Sequence, residues 1–184
     1  MKFYVIAYGN PEDKRQGIFS INFDEKTKNI KLLNFYPTEN KPASLIVKNE
    51  KIIMSSINLE TKKGSLSILD VKDDNNLVEE ANYEQEYFYS HLDISKDGKY
   101  LLGASFYDGV DGIIDLDNLE KSILTHTHNF RKRTDKPIQQ ACHSHFIGMT
   151  PDSKYVYSVD IGTDEVFVYD FKNGIITLNK EKSL

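Results

Sequence analysis

His91-Leu92-Asp93-Ile94-Ser95-Lys96-Asp97-Gly98-Lys99-Tyr100-Leu101-Leu102 and His145-Phe146-Ile147-Gly148-Met149-Thr150-Pro151-Asp152-Ser153-Lys154-Tyr155-Val156-Tyr157 follow one plan. Each is a short apolar strand, a tight turn, and a second strand opened by lysine. Ser44-Leu45-Ile46-Val47 before Lys51-Ile52-Ile53-Met54 is an earlier copy. Asp97-Gly98 and Pro151-Asp152-Ser153 suit hairpin turns, because Gly, Asp and Ser accept the backbone angles that such turns need. Ser44 precedes His91 by 47 positions and His91 precedes His145 by 54. The three residues are therefore expected to hold the same place in successive repeats.

Working outward, a third strand follows each second one: Gly17–Phe23, Ser65–Leu69, Gly112–Leu116 and Glu165–Tyr169. A fourth follows after a polar turn: Ile30–Leu33, Leu77–Glu80, Ser122–Leu124 and Ile175–Leu178. Alternation of period two over short runs reads as antiparallel strands, and no stretch carries a helical period. Four strands recurring at roughly 40–50 residues mark propeller blades. The fold class is all-β, a β-propeller segment of about four blades, with blades near 1–40, 41–88, 89–135 and 136–184. A β-sandwich with coincidental similarity is the alternative. Tyr4–Tyr8 aligns with the second strands of later repeats, so the first blade is expected to lack its innermost strand. Asn179–Leu184 is too polar to supply it. The chain then reads as part of a ring with two open edges, through which it could self-associate.

Composition narrows the function. Hydrophobic residues at 39% and charged residues at 28% fit one globular core. A net charge of −5 argues against nucleic acid as partner, since phosphate backbones need a basic face. No apolar run of about 18 residues is present, so no membrane helix is expected. The apolar N-terminal stretch is too short for a signal-peptide core. Cys142 is the one cysteine and forms no internal disulfide, so cytoplasm is the expected compartment.

Residues at the inner ends of adjacent blades converge on one small volume. His91 and His145 are expected there, facing one channel, with His143 on the same side as His145 by strand alternation. Imidazoles at that rim could take a proton from water near pH 7, or could merely bond neighbouring loops. Arg131-Lys132-Arg133 is the dense basic cluster, either a phosphate contact through Arg131 and Arg133 or a solvated loop. His126 and His128 alternate on one strand but lack a third ligand at a fixed offset, so no metal is assigned. Cys142 reads as a packed small residue, and Asp160 and Asp164 as turn caps.

The run Gln139–Asp152, with His143-Ser144-His145, followed by Val159-Asp160-Ile161-Gly162-Thr163-Asp164-Glu165-Val166-Phe167-Val168-Tyr169, resembles the lactonase family of seven-bladed propellers. Gln16–Ile21 and Ser90-His91-Leu92 add to the likeness, which covers the N-terminal half of the family's length. The resemblance implies a metal- and cofactor-independent hydrolase of a sugar-phosphate lactone, 6-phosphogluconolactone, in the pentose phosphate pathway. It places the catalytic histidine at His145 and makes His91 and His143 substrate contacts. It also implies an arginine and a glutamate from a later blade, for which this chain has no counterpart. The isolated chain is therefore expected to hydrolyse the lactone poorly or not at all. An inactive propeller piece or an interaction module is the other reading.

Overall fold

A computed structural model describes residues 1–9, 15–72, 75–129 and 135–184. Among the described residues, the turn chemistry and period-two patterning produce fifteen strands in four antiparallel sheets. The first sheet holds β1 (Lys2–Ala7), β2 (Gly17–Phe23) and β3 (Ile30–Pro37). The second holds β4 (Lys41–Lys48), β5 (Lys51–Ile57), β6 (Gly64–Val71) and β7 (Leu77–Gln85). The third is β8 (His91–Ile94), β9 (Tyr100–Ser105), β10 (Val110–Asp115) and β11 (Asn118–Thr127). The fourth is β12 (Ser144–Met149), β13 (Tyr155–Asp160), β14 (Glu165–Lys172) and β15 (Ile175–Leu178). Among the described residues the helical content is one 3-10 turn, Pro137–Gln139. Every sheet runs in sequence order from one edge to the other, which is how propeller blades are wound.

The first strands β4, β8 and β12 lie side by side around the axis, and β1 stands next to β4. The first sheet has three strands and begins at the second-strand position, as its alignment with the later repeats leads one to expect. Residues 179–184 do not join it. They fold back on β14 of their own sheet, where the N–H and C=O of Leu184 bond those of Val166 at 2.9 Å in both directions.

Each pair of neighbouring sheets buries one apolar layer. Tyr4, Ile18 and Tyr36 of the first sheet meet Leu45, Ile52, Met54 and Leu69 of the second. Ile53 and Leu66 meet Tyr89, Leu92, Leu101 and Ile114 of the third. Leu102, Ala104 and Ile113 meet Ile147, Val156, Phe167 and Tyr169 of the fourth. A fully buried side chain of this kind contributes roughly 1.5–3 kcal/mol. Tyr89 shows why two glycines are needed. Gly103 and Gly112 are cross-strand partners, and a Cβ on either would fall 2.4 or 2.3 Å from the Tyr89 ring or hydroxyl. The bare backbone there is the floor on which Tyr89 lies, just before Ser90 and His91.

Candidate active site at the axial rim

The registers place the histidines. β9 and β13 open with Tyr100 and Tyr155, so Ala104 and Val159 are equivalent. His91 pairs with Ala104, and Phe146 pairs with Val159. The counterpart of His91 is thus Phe146, and His145 corresponds to Ser90. The turns agree. Ser95 Oγ donates to Asp97, and Thr150 Oγ1 donates to Asp152, at equal places in the two repeats. The expected equivalence of His91 and His145 is therefore one residue out, because two histidines in similar surroundings need not share a register. His145 falls at a bulge between Ser144 and Phe146, as Ala43 does between Pro42 and Ser44. A bulge re-aims the side chain of its extra residue.

His145 is exposed and lines a cavity of about 290 Å³ at the rim. Its neighbours there come from the three preceding repeats. Tyr8 follows β1, Lys41 opens β4, and Ile57 and Leu59 end the β5 hairpin. Phe88 and Ser90 precede β8, and Phe106 and Tyr107 follow β9. Ser90 Oγ donates its proton to Ala104 O at 3.0 Å, so it offers lone pairs to the cavity. Lys41 Nζ stands 4.9 Å from the centre of the Tyr8 ring, a cation–π distance. Phe106 meets His145 edge-on at 5.9 Å.

His143 stacks on the other side of Phe106 at 4.4 Å, and its Nδ1–H donates to Phe106 O at 2.9 Å. That bond fixes the tautomer and leaves Nε2 with a lone pair when the ring is neutral. His91 takes a different part. Its Nδ1 accepts the Ile147 N–H at 3.5 Å, and its ring lies 4.3 Å from Phe146. Ser44, at the equivalent place, accepts the Leu92 N–H through Oγ at 3.0 Å. Both residues stitch one innermost strand to the next. Burial is the main cause that lowers the His91 pKa, so a neutral, accepting ring is favoured. His91 and His145 are near enough for their charges to interact, but His91 is not part of the cavity wall. Arg131 and Arg133 lie outside the described residues.

Behind the rim sits a buried polar cluster. His128, with no exposed side-chain surface, donates from Nδ1 to Asp160 at 2.6 Å and from Nε2 to Asp111 at 2.8 Å. Asp111 also accepts Ser144 Oγ at 2.6 Å, Ser158 Oγ at 2.9 Å and the Tyr169 hydroxyl at 2.8 Å. Burial lowers the His128 pKa, but the hydrogen bonds and charges of the two carboxylates outweigh it and raise the pKa to about 9. Asp160 Oδ1 accepts the backbone N–H groups of His143, Gly162 and Thr163, at 2.9, 2.8 and 3.1 Å. The cluster thereby cements the third blade to the fourth and fixes the segment that carries His143 and His145. It also accounts for one sequence reading, since Asp160 caps a turn.

Sequence reasoning did not single out Lys41, Tyr8, Ser90 or Phe106. The bulges provide the signal for Lys41. It lies two residues before Ala43, just as His143 lies two before His145, so the two occupy equivalent rim positions in alternate blades.

The description of the family model that matches residues 2–184 is "Lactonase, 7-bladed beta-propeller". An uncharacterized protein of Staphylococcus epidermidis is 27% identical over 174 residues, covering 91% of this chain and 49% of its own length. One from Staphylococcus aureus is 26% identical over 188 residues, covering 97% and 52%. A candidate 6-phosphogluconolactonase of Bacteroides fragilis superposes with a TM-score of 0.82 at 18% identity, over 100% of this chain and 54% of that one. The periplasmic gluconolactonase of Pseudomonas aeruginosa gives 0.77 at 20% identity, over 92% and 50%. These similarities establish the fold. The chain spans about half the length of the relatives it matches. With its family model covering nearly every residue, the chain belongs to the lactonase family of seven-bladed β-propellers.

Proposed function

We propose that this chain carries one side of a sugar-lactone hydrolase site, with His145 as the general base. The observation that carries the reading is the bulged, exposed His145 in a cavity at the axial end of a lactonase-family propeller. Lactone hydrolysis needs few parts. The imidazole takes a proton from water as the oxygen attacks the carbonyl carbon, and returns it to the ring oxygen as the C–O bond breaks. Donors must meet the carbonyl oxygen as it gains charge. In this reading the substrate is 6-phosphogluconolactone, handled in the cytoplasm within the pentose phosphate pathway. His143 offers Nε2 as a substrate contact, and His91 holds the neighbouring innermost strand in place. The structural relatives named for lactones support the substrate class.

The test is proton release from 6-phosphogluconolactone, corrected for the enzyme-free rate because this lactone opens spontaneously. A weak excess rate is expected, lost in His145→Gln. An excess rate unchanged by that substitution overturns the role of His145.

A second reading, an interaction module, has its own observation. The outer face of the first sheet aligns Val5, Phe19 and Phe35 in one row and Phe3, Ile21 and Leu32 in the next, all apolar and partly or fully exposed. Self-association through such an edge would show as a mass that rises with concentration in sedimentation equilibrium. That result with no excess hydrolysis favours the second reading.

A further inference from the structure

Resting on the lactonase reading, we propose that Lys41 is the anchor for the phosphoryl group of a phosphorylated sugar lactone in the His145 cavity. Among the described residues Lys41 has no carboxylate partner, and its ammonium group rests over the Tyr8 ring. Among the described residues, no carboxylate lines the cavity it shares with His145. A second cavity of about 370 Å³ adjoins it behind Phe88 and Tyr107, and that one carries Glu86 and Asp108 beside Lys62. A phosphoryl dianion is repelled from the acidic side and drawn to the Lys41 side, so the two cavities together orient the ligand. Lysine meets phosphate as a point charge with three donors, and charge-assisted hydrogen bonds are about twice as strong as neutral ones. The Tyr8 ring holds the ammonium without neutralising it, which keeps it free to pair with a ligand. Lys41 opens β4 at the rim position that His143 holds two blades away, so the anchor and the His-x-His segment flank one opening. The lactone ring then lies between them.

Calorimetric titration with 6-phosphogluconate and with gluconate tests this without requiring turnover, because the two differ only in the phosphoryl group. The wild-type chain is expected to bind 6-phosphogluconate more tightly. Lys41→Met should weaken that binding about 10–100-fold and leave gluconate binding unchanged, while Lys41→Arg retains most of the preference. Equal weakening for both ligands, no weakening, or loss of the phosphate preference in Arg131→Ala or Arg133→Ala but not in Lys41→Met would overturn the assignment. A Lys41-dependent phosphate preference with no hydrolysis above buffer would retain the anchor and count against the lactonase reading alone.

Discussion

His128 Nδ1 donates to Asp160 at 2.6 Å, and the opposite oxygen of that carboxylate accepts the N–H of His143 at 2.9 Å. One buried ion pair thus connects the seam between the third and fourth blades to the segment bearing His145. Truncating one partner would leave a buried charge uncompensated. His128→Gln is expected to cost about 3–5 kcal/mol, the usual penalty for breaking such a pair, measured by urea unfolding.

The same pair sets a pH dependence. The folded His128 pKa of about 9 lies above its ordinary value, so its contribution is complete below about pH 6.5 and is lost as pH rises through about 9. Burial raises the Asp160 pKa, but the bonds from His128 and the His143 N–H outweigh it and hold the carboxyl below its usual range. Its contribution is present above about pH 4 and fades as pH falls further. The melting temperature should therefore decline between pH 6.5 and 9. That decline should be absent in His128→Gln, as followed by circular dichroism. A flat wild-type profile over this range would contradict a charged His128.

Gly103→Ala and Gly112→Ala would each drive a methyl group into the buried Tyr89 ring. Overpacking of this kind costs about 1–3 kcal/mol. Tyr89→Leu should relieve part of the loss in a double-mutant cycle, and strictly additive effects would show that the contact is not the cause.

Cys142 should behave as a poor nucleophile. Burial, with the charges of Asp160 and Glu165, pushes its pKa up to about 11, and its Sγ lies 3.4 Å from His128 O. Alkylation by iodoacetamide at pH 8 should be far slower than that of a free thiol and should accelerate as pH rises. Fast labelling at pH 7 would contradict this environment.

The blades were legible because alternation in runs such as Ser65–Leu69 and the lysine-opened hairpins are local signals, and the strands follow them. The site was legible only in part. The residues named for it from the sequence were histidines and arginines, whereas the cavity also needs Tyr8, Lys41 and Phe106, which come from hairpins far apart in the chain. Matching His91 to His145 failed by one position because the register follows the turns at Asp97 and Asp152, not the histidines. His128 carried no assigned role in the sequence because its partners, Asp111 and Asp160, lie 17 and 32 positions away, with no periodic signal joining them.

A sugar lactone in the His145 cavity would lie against the imidazole ring of that residue. Histidine-selective NMR during titration with the hydrolysis-resistant lactam analogue of gluconolactone reports on that contact. A saturable shift of the His145 ring resonances is expected, while the enclosed His128 ring keeps its position. An unmoved His145 at saturating analogue, or shifts confined to histidines away from the cavity, would contradict that contact.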